Sequence, residues 1–316
     1  MNGTSGPTGA IDRGDADVGP ARSRTAASTT SWWPAVTFVL LAYAASWALW
    51  MAHLAPHLGD LLTADRTPAD VSAYVPERDI LLGMLGPALA ALVMRIVITR
   101  EGLRGSLGPV RDWRRLLIAL VAPALFVAAV LLLVQALRFG RFSWYDESLL
   151  GYLLTMVIVF FNIPWGFGEE YGWRGYLLPK LLGLGEVKAG LIVGLVWAPW
   201  HFPVVLAGHA FPNQPPVRAL LLFTVSVVLF SLILTRLWVW SGGSLLAVIL
   251  AHMSVNLYAG YLEPPYLTGN PLLVNMGGAV SLTLATVLVV ALYRRRRGTD
   301  TDTSVDTTVN TRATEG

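Results

Sequence analysis

The sequence predicts an all-α fold: a polytopic transmembrane bundle of about eight helices with a buried polar active-site cavity. Three observations carry this. Hydrophobic residues make up 54% of the 316 and charged residues only 14%, with a mean hydropathy of +0.57, whereas soluble domains are about one quarter charged. The apolar residues fall in runs of about 20, the length that crosses the roughly 30 Å hydrocarbon core. Lys and Arg, finally, gather in alternate connections between those runs.

In chain order the runs are Trp32–Leu54, Ile80–Ile98, Leu116–Leu137, Leu149–Phe167, Ala189–Ala207, Ala219–Trp240, Leu245–Leu262 and Leu272–Tyr293. An even number places both termini on one side. With that side cytoplasmic, 18 of the 23 basic residues are internal, including Arg100, Arg104, Arg111, Arg114, Arg115 and the run Arg294–Arg297. The outer connections hold only Arg66, Arg78, Arg138, Arg141 and Arg218. The expected location is therefore the cell membrane, multi-pass, with cytoplasmic termini. Trp32, Trp33, Trp113, Trp144, Trp238 and Trp240 lie near run ends, where an amphipathic ring suits the headgroup level. Pro87, Pro123, Pro164 and Pro199 fall in or beside runs and predict kinks.

Residues 1–31 and 298–316 are polar and poor in aromatics, so both are expected to be disordered cytoplasmic tails flanking one membrane domain at 32–297. The first tail has no apolar core of a secretory signal, which makes the first run a retained anchor. The absence of cysteine excludes disulfides, thiolate metal sites and cysteine nucleophiles. The net charge of +3 is spread over short connections, not on one basic face. The expected partners are thus the lipid bilayer and a membrane-associated peptide or protein, not nucleic acid.

A charge at membrane depth costs at least about 2.5–3.5 kcal/mol, so ionisable residues there call for a function. They occur in three places. The first is Gly168-Glu169-Glu170-Tyr171-Gly172-Trp173-Arg174-Gly175, directly after the fourth run. On a helix Glu170 and Arg174 share a face and can pair, while Glu169 is turned about 100° away and is free for another role. A carboxylate in an apolar site suits general-base work. The second is His201, in Trp197-Ala198-Pro199-Trp200-His201-Phe202-Pro203, and the third is His252-Met253-Ser254-Val255-Asn256, whose spacing stacks His252 and Asn256. Each has a plainer reading as interhelix glue. Together they offer a base for water, groups that polarise a carbonyl and an amide for an oxyanion. Two mechanisms stay open: Glu169, His201 and His252 holding Zn2+ that activates water, or the same residues acting by acid–base chemistry without metal. No His-Glu-x-x-His helix is present.

These three motifs, in this order on separate helices, resemble the CPBP family, which comprises the CAAX-type prenyl endopeptidases and the bacteriocin-processing or immunity proteins also called Abi. The motif core spans roughly 145–262. The resemblance implies an intramembrane endopeptidase in which Glu169 activates water with help from His201. His252 and Asn256 would stabilise the oxyanion or complete a metal site, and Glu170 with Arg174 would form a structural ion pair. Trp197 stands where the family commonly has Phe. The rival readings are a non-catalytic scaffold or immunity factor and, third, an ion-coupled transporter. The last predicts repeat symmetry, which the sequence lacks.

Overall fold

The computed structural model describes residues 31–63, 71–110, 112–138, 140–142, 164–212, 214–257 and 267–269. The chain divides into two units, Met1–Trp32 and Trp33–Gly316. Of the first, only Ser31 and Trp32 are described, and neither is helical.

The second unit is built of helices. α1 (Trp33–Leu54) leads into short turns ending at Leu61. α2 (Glu77–Met84) and α3 (Gly86–Val93) form one broken rod that closes in a π-type turn, Met94–Ile98. α4 (Trp113–Ala136), α5 (164–172), α6 (Glu186–Trp200), α7 (Phe202–Leu206), α8 (Pro216–Trp240) and α9 (Leu245–Leu257) follow. The described extended structure is one three-residue antiparallel pairing of Gly140–Phe142 with Leu267–Gly269. Among the described residues three helical stretches, Trp33–Leu61, Glu77–Ile98 and Pro216–Trp240, are long and apolar enough to cross a membrane. Leu40, Leu125, Leu132, Val217 and Leu221 are each more than 60% exposed, an apolar exterior suited to lipid. This is a membrane protein with a helical-bundle fold.

The helices α2, α4, α6 and α8 each begin three residues before the corresponding apolar run. Those first turns carry Glu77, Arg78 and Asp79, then Arg114 and Arg115, then Glu186 and Lys188, then Arg218. The unbonded N–H groups that open a helix need polar partners, so charged residues start helices that a hydropathy window misses. At α4 the partner is explicit, for the Asp112 carboxylate accepts from the Arg114 and Arg115 backbone N–H groups. The eighth run, Leu272–Tyr293, most of the fourth, and both expected disordered tails lie outside the described residues.

One boundary differs in substance. The fourth run was expected to end at Phe167 with the Glu-Glu segment at its end, but the backbone stays helical from 164 to Leu184. It passes through a π-type turn at Trp173–Leu177 and the short helix Leu178–Leu181. Glu169 is therefore about 24 Å along the helix from the turn at Gly185 and buried inside the bundle. The charged residues that end the hydropathy run remain helical because they pair in the interior. Gly185, at φ +93°, makes the reversal into α6 in a conformation that a side chain disfavours.

Small residues set the packing where lipid offers no hydrophobic drive. Gly190 and Gly194 of α6 lie against α8, and the Ser231 hydroxyl donates to the Gly190 carbonyl at 2.9 Å. Gly168 and Gly172 seat α5 on the joint between α2 and α3 at Met84 to Pro87. Pro87 lacks an N–H and so leaves the Gly83 carbonyl without its helical donor. Ser46 Oγ of α1 donates to that carbonyl at 2.7 Å. The centre of the unit is aromatic, with Phe38, Trp50, Trp173, Tyr176 and Trp200 at most 1% exposed.

Candidate active site

Five ionisable side chains from α5 and the π-type turn after it, the joint between α6 and α7, and α9 meet in this interior. Glu170 and Arg174 are one turn apart, with no side-chain exposure, and Arg174 Nη1 donates to Glu170 Oε1 at 2.9 Å. The same oxygen lies 2.7 Å from His252 Nδ1. A carboxylate only accepts, so Nδ1 carries the proton and Nε2 is left for other work. Glu170 thereby ties α5 to α9.

Glu169, turned to the neighbouring face, has a different set of partners. Its Oε2 accepts from the Trp197 indole N–H at 2.7 Å and lies 3.6 Å from His201 Nε2. The second distance is too long for a direct hydrogen bond and wide enough for one water to sit within reach of both atoms. His201 Nδ1 is 3.3 Å from the Trp197 carbonyl, an acceptor, so here too Nδ1 holds the proton and Nε2 presents a lone pair. Glu169, His201 and His252 are 5, 5 and 3% exposed.

Trp197 is the hub. Besides donating to Glu169, it carries the Arg174 guanidinium 4.2 Å over its ring, and its centroid lies 5.4 Å from that of His252 and 6.0 Å from that of His201. Sequence reasoning treated residue 197 only as a large aromatic. The available signal was the indole N–H one turn before His201. His209, just past α7, stacks its ring nearly parallel to that of His201 at 6.0 Å because the chain reverses at Gly208. Asn256 stands one turn past His252 on α9 and is exposed. The structure does not bring it into the buried cluster.

A zinc ion shared by Glu169, His201 and His252 requires all three donors about 2.0–2.2 Å from one point. Among the described residues no three His, Asp or Glu side chains are gathered to hold a metal ion. The side chains as placed do not fit that ion, and no step below runs through one.

No curated protein matches the chain. A family model does, over residues 149–258, about a third of the chain; its description is Type II CAAX prenyl endopeptidase Rce1-like. That stretch holds α5 to α9 and every ionisable residue of the buried cluster. The segment that carries the cluster is thus similar to the type II CAAX prenyl endopeptidases that this model describes.

Proposed function

We propose that the protein is an intramembrane endopeptidase that hydrolyses peptide bonds of membrane-associated substrates with a water activated by Glu169. The observation that carries this reading is the 3.6 Å separation of Glu169 Oε2 and His201 Nε2, which lets a carboxylate and an imidazole lone pair reach one water lying beside both. Glu169 takes the proton as the water oxygen attacks the carbonyl carbon. That proton passes from Glu169 to His201 Nε2, which delivers it to the leaving amine nitrogen as the C–N bond breaks. His252, held through Nδ1 by Glu170, donates from Nε2 to the oxyanion when it carries both protons. Asn256, at the exposed end of α9, contacts the bound peptide. Glu170 and Arg174 support His252 and take no part in proton transfer.

Burial supports the division between the two glutamates. Glu170 is fully enclosed by Arg174 and His252, whereas Glu169 faces the interval itself. We also propose the multi-pass orientation with cytoplasmic termini, on the 18-to-5 distribution of basic residues. The chain has no cysteine, so single thiols introduced at Gly59 and Gly105 will label from opposite sides of sealed vesicles if the orientation holds.

The test of function is cleavage of a panel of membrane peptides by purified wild type, Glu169→Ala, His201→Ala and His252→Ala. Wild type cleaves and Glu169→Ala does not. Equal cleavage by all four proteins removes the catalytic reading. Elemental analysis and chelation of an active preparation test the zinc form separately.

A further inference from the structure

We propose that α1, which lies outside the 149–258 segment matched by the family model, positions His201 through three side-chain hydrogen bonds, two donated by Tyr43 and Trp47 and one accepted by Ser46. This rests on the reading of His201 as a catalytic residue.

His201 sits at a weak point in the backbone. It is the joint between α6 and α7, flanked by Pro199 and Pro203, and each proline removes a donor that would otherwise hold the helix. The segment is held from outside instead. Tyr43 OH donates to the Val196 carbonyl at 2.6 Å. Trp47 Nε1 donates to the Trp200 carbonyl at 2.8 Å, which belongs to the peptide group entering His201. Trp200 Nε1 donates to Ser46 Oγ at 2.8 Å, while Ser46 in turn donates to the Gly83 carbonyl freed by Pro87. The Trp200 ring is wedged between Trp50 at 5.0 Å and Trp173 at 5.7 Å, and it meets the His201 ring edge-on at 4.5 Å and 80°.

Tyr43, Ser46 and Trp47 occupy one face of α1 over little more than a turn, and their three bonds fix residues 196–200 and the ring against which His201 leans. Ser46 and Trp200 are 0% exposed, so water does not substitute for these partners. The consequence is chemical. A backbone free to pivot at 199–203 would move Nε2 relative to Glu169, and a displacement of about 1 Å in a catalytic group can cost about a hundredfold in rate. Tyr43, Ser46 and Trp47 are positioning residues, acting through His201 without touching the reacting atoms.

The experiment uses the full chain in lipid nanodiscs, with Tyr43→Phe, Ser46→Ala, Trp47→Phe and the double variant Ser46→Ala/Trp47→Phe. Tyr43→Phe and Trp47→Phe each remove a donor and Ser46→Ala removes the acceptor of the Trp200 indole N–H, and Leu40→Ala, on an exposed position of α1, is the control. Histidine 13C NMR reads the His201 ring, identified by its loss in His201→Gln, and peptide cleavage reads kcat and KM. Positioning predicts a shifted or broadened His201 signal, a fall in kcat of about tenfold or more in the double variant, and KM within about twofold. The control stays unchanged. The proposal is overturned if the double variant leaves the His201 signal and kcat as in wild type, or if the losses merely follow a lowered melting temperature shared by Leu40→Ala. A wild type that cleaves nothing, with a His201 signal that still moves, refutes the protease reading and leaves the positioning intact.

Discussion

At the scale of single residues, the two adjacent glutamates divide structural and chemical work because successive helical positions face about 100° apart. Trp197 makes the division visible. Its N–H bond to Glu169 Oε2 is one that phenylalanine cannot make, and a hydrogen bond to a charged group contributes about 1.5–3 kcal/mol. Trp197→Phe should therefore lower kcat/KM by one to two orders of magnitude while the protein stays folded; steady-state kinetics with a melting curve checks both. Arg174 behaves oppositely. Removing one member of a fully buried ion pair costs about 3–5 kcal/mol, more than removing both, so Arg174→Leu should melt far below wild type and Glu170→Leu/Arg174→Leu should recover part of the loss. The sequence made Glu169, Glu170, Arg174, His201 and His252 conspicuous because charge in an apolar run is expensive. It could not reveal Trp197 or Ser46. A tryptophan and a serine cost little in a membrane helix, and only the tertiary contact turns them into donors.

At the scale of elements, close approach and not hydropathy determines the arrangement. A Cβ on Gly172 would lie 2.5 Å from Pro87 Cβ, and one on Gly194 would lie 2.7 Å from Val228 Cα. Neither neighbour is a flexible side-chain end. Gly172→Ala and Gly194→Ala should each destabilise by about 1–3 kcal/mol through overpacking. Gly183→Ala, with nothing within 4 Å, should be neutral or slightly stabilising. Thermal unfolding of the three variants in one detergent separates these outcomes. The positions of the described helices were legible as apolar runs, since lipid forces spanning segments to satisfy their own backbone. Their starts were not, because the polar first turns at Glu77, Trp113, Glu186 and Pro216 resemble loops by composition. The continuation of α5 past Glu169 was hidden for the related reason that charges which neutralise one another in space still interrupt a one-dimensional hydropathy reading.

At the scale of the whole molecule, the buried cluster has a polar counterpart that clamps the end of the broken α2–α3 rod to the α5 extension. Arg95 donates to the Gly175 carbonyl at 2.7 Å, and Glu101 pairs with Lys180 at 2.5 Å and with Arg95 at 3.6 Å. Partial burial, the largest single influence on Glu101, pushes its carboxyl pKa up. The Lys180 bond and charge, joined by Thr99 and Arg95, outweigh this and hold it below the ordinary value of 4.5. A carboxyl with a depressed folded pKa gives stability that is complete above its unfolded pKa and lost as pH falls through the folded one. Wild type should accordingly exceed Glu101→Gln in stability at pH 7, and the gap should close as the pH drops below about 4.5; paired melting curves across that interval check the sign. The π-type turn Trp173–Leu177 joins clamp and cluster, giving Arg174 to the cluster and the Gly175 carbonyl to the clamp. Such a turn holds one residue more than the α-helix needs, which makes it an angular offset written into the chain: one end of the rod is rotated relative to the other by roughly a fifth of a circle or more. Deleting Leu177 alone would leave hydropathy almost unchanged and every side chain of the cluster and the clamp in the sequence. It would also turn Glu169 and Glu170 together away from Trp197 and His252, disabling the interior by a change of phase alone.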